Sequence, residues 1–158
     1  MTLGKALRTD SGSRLIHADP HRIFEAFLDP VAVTTWLPPS DMTGRMLEFE
    51  PRPGGAFRME LTFKRADHAT PGKSSAHADV VEGRFVRLTP DRELVQRFTF
   101  RSSDPAFAGE MTMVWTLEPE GTATRVTVRA EDVPRGIDPR DHEVGIRSSL
   151  ENLARYVE

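Results

Sequence analysis

The residues able to do acid–base or metal chemistry in this 158-residue chain are few: five histidines, scattered carboxylates and no cysteine. His142 and Glu143 lie one turn ahead of Ile146 in a segment of helical spacing. Placed at a pocket mouth, such a pair can orient a polar ligand or act as acid and base. The plainer reading is that both are first-turn helix residues, where a carboxylate is favoured by the helix dipole. Glu143 fits that reading better; for His142 both stand. His77 and Asp79 alternate on one strand face, supplying two ligands where a metal site needs three or four, so no metal is expected. His17, His21 and His68 sit at a strand end, a helix start and a polar loop, with no partner visible in sequence. Arg97 and Arg125 fall on the charged phase of their strands and face outward, as does Glu110 in a cross-strand pairing role. Glu82 and Arg84 have no clear phase, because Phe85 and Val86 are both apolar.

Zero cysteines remove disulfides, thiolate nucleophiles and cysteine-bound zinc together. Nucleophile elbows, phosphate-cradling glycine loops and dinucleotide fingerprints are all missing, and Pro53-Gly54-Gly55 serves a hairpin turn. No cofactor is expected. A net charge of −3 offers no basic stripe for nucleic acid. No run approaches the ~20 apolar residues that cross a membrane. The N-terminus has no apolar signal core, so a cytoplasmic location is expected.

Four Asp-Pro pairs punctuate the chain. Asp19-Pro20 opens a helix with Ile23, Phe24 and Phe27 on one face, and Asp29-Pro30 opens a second that Pro38-Pro39 stops after Trp36. Asp138-Pro139 opens the long helix to Glu158, about 28 Å at 1.5 Å per residue, with Ile146, Leu150, Leu153 and Val157 on one face. Asp104-Pro105 lies in a turn-rich segment and reads as a loop. A short strand spans Ser13 to His17, and residues 1–12 read as a flexible tail ahead of a single domain, 13–158. Six strands follow, at about Gly44–Pro51, Ala56–Arg65, Ala76–Leu88, Glu93–Ser102, Glu110–Glu118 and Thr122–Ala130. Ala66 to Ser75 reads as a mobile hairpin tip.

Alternation sets the faces. Phe57, Met59, Leu61 and Phe63 share one side of their strand; Leu94, Gln96, Phe98 and Phe100 share another; Met111, Met113, Trp115 and Leu117 form a third row. Apolar on one face and charged on the other marks an α+β protein whose antiparallel sheet is covered on one side by helices. One helix on one curved sheet leaves space beneath it. Trp36, Phe57, Met59, Phe63, Phe85, Phe98, Met113, Trp115, His142, Glu143 and Ile146 are therefore the candidate lining of an apolar cavity.

The order strand, two short helices, six strands, long helix resembles the helix-grip arrangement of START-like (SRPBCC, Bet v 1-like) domains, a curved antiparallel sheet of about seven strands wrapped around a long C-terminal helix. The matching stretches are Ile16-His-Ala-Asp-Pro-His-Arg-Ile-Phe-Glu-Ala-Phe before Trp36, Pro51-Arg-Pro-Gly-Gly-Ala-Phe57, Glu82-Gly-Arg-Phe-Val86 with Arg92-Glu-Leu94, Thr124-Arg-Val-Thr-Val128, and Ser149-Leu-Glu-Asn-Leu153. They are most similar to the branch of the C-terminal domain of activators of the Hsp90 ATPase. Relatives commonly carry Gly-Trp at the start of the core face of the last helix. Here Gly145 is followed by Ile146, which implies a roomier cavity or compensation by Trp36 or Trp115. The resemblance implies binding of a small apolar or amphipathic molecule, or alternatively a polyketide cyclase-, aromatase- or hydrolase-type enzyme in the same pocket, or an Hsp90-activator-like interaction module. Against the last, the activators' additional N-terminal domain is not seen in this chain. A homodimer is compatible with the branch; nucleic acid and membrane insertion are not expected.

Overall fold

The computed structural model describes residues 8–64, 78–100 and 104–158. The expected hairpin tip at Ala66 to Ser75, together with His68 and His77, lies outside the described residues, as do residues 1–7 of the expected tail. The Asp-Pro pairs start α1 (Pro20–Leu28), α2 (Pro30–Trp36) and α3 (Pro139–Val157). In each helix the aspartate carboxylate accepts from first-turn backbone N–H groups, and proline takes the position whose missing N–H costs nothing. Asp104 caps Ala106 in the same way, so the segment expected to be a loop holds a 3-10 turn, Pro105–Phe107. With none of its three residues buried, no apolar face exists to extend it into a helix.

Seven strands, β1 (Arg8–Ile16), β2 (Met42–Phe49), β3 (Ala56–Phe63), β4 (Ala78–Thr89), β5 (Glu93–Phe100), β6 (Met111–Glu120) and β7 (Ala123–Val133), form one antiparallel sheet in the order β1-β7-β6-β5-β4-β3-β2. After β1 the chain must cross the whole sheet to reach β2 at the opposite edge, and α1 and α2 make that crossing. A meander then returns to close β7 on β1. Irregularities in pairing at Arg8/Asp10, Met46/Glu48 and Phe85/Arg87 bend the sheet around the helices, giving the helix-grip form.

Two expectations change. β1 starts at Arg8 instead of Ser13, so residues 8–12 are strand and not tail. They pair with β7 as far as Val133, and the polar, glycine- and serine-containing run hid this because an edge strand needs no apolar outer face. The irregularity between Phe85 and Arg87 resolves the ambiguous phase of β4. Phe85 is fully buried, Val86 is 37% exposed, and Leu88 packs against the core again after the extra residue. Arg84 therefore points outward, where it pairs with Glu110 at 3.2 Å. Arg125 does likewise with Glu120, and such exposed pairs add little stability each.

The helices come closest to the sheet over its two edges, α3 along β1 and α2 over β2. Gly12 allows the first approach: a Cβ there would stand 2.8 Å from Ile146 Cγ2. Hydrogen bonds then fix the layer to itself. Ser149 Oγ donates to the Leu37 carbonyl at 2.6 Å, Asn152 Nδ2 to that of Pro38 at 3.0 Å, and Trp36 Nε1 to that of Ala26 at 3.0 Å. Between the two edges the sheet and the helices are joined by side chains alone.

The floor of that span is tightest at Gly83, where a Cβ would lie 1.8 Å from the Arg97 carbonyl oxygen across the β4–β5 pair. Gly83→Ala is expected to cost about 3 kcal/mol by forcing the strands apart, measured as a drop in the urea unfolding midpoint. An unchanged midpoint would show that this part of the sheet is not closely packed.

Candidate functional site

Large rings fill the span in two groups. On the helix side Phe27, Trp36 and Trp115 meet with ring centroids 5.4 to 5.5 Å apart, the two tryptophans nearly perpendicular at 84°. On the sheet side Phe57 packs edge-on to Phe98 at 5.2 Å and to Phe85 at 6.0 Å, and Phe85 meets Phe49 at 5.5 Å. Such offset and edge contacts favour a fixed arrangement. Where the two groups meet they leave a space of ≈ 10 Å³, lined by Phe27, Trp36, Phe57, Leu94, Gln96 and Trp115 among others. That is room for about one water molecule.

Gln96 is the polar member of this lining. Three polar side chains are buried among the described residues, and the other two are satisfied: Thr124 donates to the Ala18 carbonyl at 2.7 Å and Ser149 to Leu37. Gln96, a residue 6% exposed, lines the central space, which is large enough for a water to meet its amide. Sequence reading placed it in an apolar row without remark. The available signal was that one polar residue interrupted the apolar phase of β5.

Cover over the floor fades along the strands. On β3, Phe57 and Met59 are each 2% exposed, while Leu61 and Phe63 on the same face are half-buried. Val81 and Phe100, paired in register on β4 and β5, are half-buried too. So is Met113, which sits beside Gln96 and touches both the main core and a second apolar cluster of Met111, Ala130, Val133 and Ile137. The apolar floor thus continues beyond the part that the helices close.

Of the residues expected to line a cavity, Trp36, Phe57 and Trp115 line the central space. Phe85 and Phe98 stack on Phe57, Met59 is buried in the same core, and Met113 and Phe63 lie on the half-covered floor. Ile146 is buried over β1, while Trp36 and Trp115 meet in the layer at 5.4 Å. His142 turns to the same edge strand: its Nδ1 lies 2.7 Å from Asp10 Oδ2. An ionised carboxylate can only accept, so Nδ1 carries the proton in that bond. Arg8 Nε also donates to Asp10, at 3.0 Å, and its NH2 group donates to the Ile137 carbonyl. Glu143, one step round the helix, is brought to solvent instead of the interior, with its side chain 66% exposed and paired to Arg147. His21 has a partner that sequence could not reveal. Asp91 accepts from it at 3.0 Å and, with Glu25, raises the pKa of its exposed ring.

Larger hollows are open to solvent, among them one of ≈ 280 Å³ beside Glu48, Arg58 and Glu110. One of ≈ 990 Å³ surrounds His21, Asp91 and Glu118, and one of ≈ 590 Å³ lies between Pro38, Lys64, Asn152 and Tyr156. Size does not favour them. Their polar groups largely engage one another, as Arg155 does Asn152 and Asn152 does Pro38. The smaller inner space is the one that combines apolar walls with a single polar side chain, Gln96, the usual make-up of a ligand site. Among the described residues no group of three or more histidine or acidic side chains could hold a metal, and no helix is long and apolar enough to cross a membrane.

The sequence profile of the family described as activator of Hsp90 ATPase homolog 1-like protein matches residues 17–158. Among solved structures, the protein CV1439 from Chromobacterium violaceum is 31% identical, with 95% of this chain and 96% of that one covered and a TM-score of 0.82. A protein from Arthrobacter aurescens is 18% identical over 94% of this chain and 85% of that one, at a TM-score of 0.76. DynU16, described as a putative protein in the dynemicin biosynthetic locus, is 21% identical over 94% of this chain and 46% of that one, at 0.67. The last two likenesses show the fold alone. Among curated proteins none matches.

The Arg8–Asp10–His142 contacts carry a pH signature. Burial pushes the Asp10 pKa up, but hydrogen bonds from Arg8 and His142 outweigh it and hold the carboxyl below its usual 3.8. A lowered folded-state value adds stability that is present above 3.8 and is lost as pH falls through the folded value. Asp10→Asn is expected to lose about 1–3 kcal/mol at neutral pH and to show a shallower decline than the wild type below pH 3.8. Urea midpoints collected from neutral to acid pH test this, and parallel profiles would contradict it.

Proposed function

The chain belongs to the activator of Hsp90 ATPase homolog 1-like family, and from that premise we propose that it binds a small apolar or amphipathic molecule between the middle of its sheet and the helices above. The supporting observation is the span itself. Helices rest on the two edge strands, and the floor between is apolar, closed by rings at one end and half-covered at the other. Leu61, Val81, Phe100 and Met113 form the approach to the inner rings in this reading, and Trp36, Phe57 and Trp115 the inner wall.

The closed arrangement has room for about one water, so a ligand must take space now held by side chains. Methionine and aromatic side chains can yield that space by rotation, because the contacts they lose are replaced by equivalent contacts to an apolar ligand. Binding then selects an opened form from the protein's own fluctuations. Among the described residues the central space is lined by no carboxylate or histidine, with His142 held at the edge strand and Glu143 in solvent, so the geometry favours binding over acid–base chemistry.

The neutral fluorescent probe N-phenyl-1-naphthylamine tests the reading. Its emission should rise on addition of the native protein, saturably, and Met113→Glu should weaken the binding by at least about ten-fold, because a carboxylate on the floor loses solvation when the probe covers it. Emission that stays flat with native protein and rises only on denaturation would end the proposal.

A further inference from the structure

We infer that the open hollow of ≈ 590 Å³ where α2, the β2–β3 end of the sheet and the last turns of α3 meet is an anion site, suited to the phosphate of a small organic phosphate monoester. It shares no lining residue with the central space, so it stands apart from the binding reading above. Lys64 and Arg155 are the charged groups of its lining, and among the described residues no carboxylate joins them there. The chain as a whole is acidic, with 24 carboxylate residues against 21 lysines and arginines. Elsewhere on its surface arginines face a carboxylate, as Arg45 does Glu60, Arg84 does Glu110 and Arg147 does Glu143. Asp41 and Glu151, the acidic residues nearest in sequence, lie outside the lining. Two cations gathered in this way repel one another until an anion is placed between them.

Both cations are set in place by bonds that leave their charge free. Lys64 directly follows β3, and its backbone N–H donates to the Asp41 carbonyl at 2.9 Å, which closes the strand pair on which it stands. Arg155 lies in the last turn of α3, where a cation suits the helix dipole. The dipole does not set its direction. Its NH2 group donates to Asn152 Oδ1 at 3.0 Å, while Asn152 Nδ2 donates to the Pro38 carbonyl at 3.0 Å. That chain of bonds ties the guanidinium to the α2–β2 connection, and the Ser40 N–H fixes the same connection by donating to Ser148 Oγ at 3.0 Å. The neutral groups are therefore engaged with one another, and the guanidinium keeps its remaining donors for an oxyanion. Its planar fork fits phosphate oxygens, and lysine adds a point charge beside it. Two positive charges match a phosphate monoester, close to a dianion at neutral pH, better than a carboxylate. Pro39, Met42 and the 41%-exposed Tyr156 supply apolar wall for the organic part of the ester.

Amide resonances followed during titration with phenyl phosphate, inorganic phosphate and phenol, at constant ionic strength, test the site. Phenyl phosphate should shift the Ser40, Lys64 and Tyr156 amides saturably, inorganic phosphate should do so more weakly, and phenol should leave them in place. Lys64→Ala and Arg155→Ala should each weaken phenyl phosphate about five-fold, and Lys64→Glu should abolish its binding. Lys64 is exposed and its side chain ties no element to another, so its variants keep the test decisive should Arg155→Ala disturb the helix end. Shifts spread over the surface arginines at large, or an affinity indifferent to both positions, would overturn the site. Equal affinity for inorganic and phenyl phosphate would overturn the assignment to an ester. N-phenyl-1-naphthylamine emission should be the same in all these variants, so this site and the inner chamber stand or fall separately.

Discussion

The close approach of α3 to the edge strand β1 governs how everything else in the molecule can pack. Four residues of helix rise about 6 Å and two residues of strand about 6.6 Å, so side chains one helical turn apart can meet alternate strand residues in step. His142 meets Asp10 and Ile146 lies over Gly12 in that step, and at the far end Glu158 accepts from the His17 backbone N–H at 3.0 Å. Gly12 makes the approach possible, since any larger residue would press on Ile146. With α3 seated at one edge and α2 over β2 at the other, the middle strands meet the helices mainly through side chains, with α1 approaching β6.

That geometry dictates the composition of the interior. A gap between backbone layers too wide for aliphatic side chains must be closed by large ones, and the rings of Phe27, Trp36, Trp115 and Phe57 do so. Interiors normally reach the density of organic crystals, and the space remaining here is about that of one water. The same rings that give the closed form its packing are those whose rotation would open it. A tryptophan at position 146 would sit on the β1 side of the layer. In this chain the bulk is carried at Trp36 and Trp115, from α2 and β6, nearer the centre of the sheet.

What could be read from the sequence follows from which interactions are local. The three helices were legible because each begins with an aspartate that bonds its own first turn, and the inner faces of β3, β5 and β6 because alternation is a property of a single strand. The start of β1 was not legible, since its residues are strand only by virtue of β7 and α3, which lie more than a hundred positions away. Nor was the phase of β4, because Phe85 and Val86 point to opposite faces while the irregularity after them lets Leu88 return inward. The pairing of His142 with Asp10 was hidden for the same reason as the strand that carries it. Gln96 was visible as a letter in an apolar row, but whether a buried amide is satisfied depends on the whole shell around it.

Buried polar groups separate the needs of folding from those of function in this molecule. Thr124, Ser149 and Trp36 Nε1 each bond a backbone carbonyl at a junction between elements, so each both satisfies itself and fixes a connection. Asp10 is exposed enough to keep some solvent and is held by Arg8 and His142, an arrangement that locks the start of α3 to the sheet. Gln96 satisfies none of these descriptions. It lies among rings and borders the space they leave, where one water is enough to meet its amide. A polar side chain there is met by solvent or by whatever replaces it in the space, and fixes no junction of the fold.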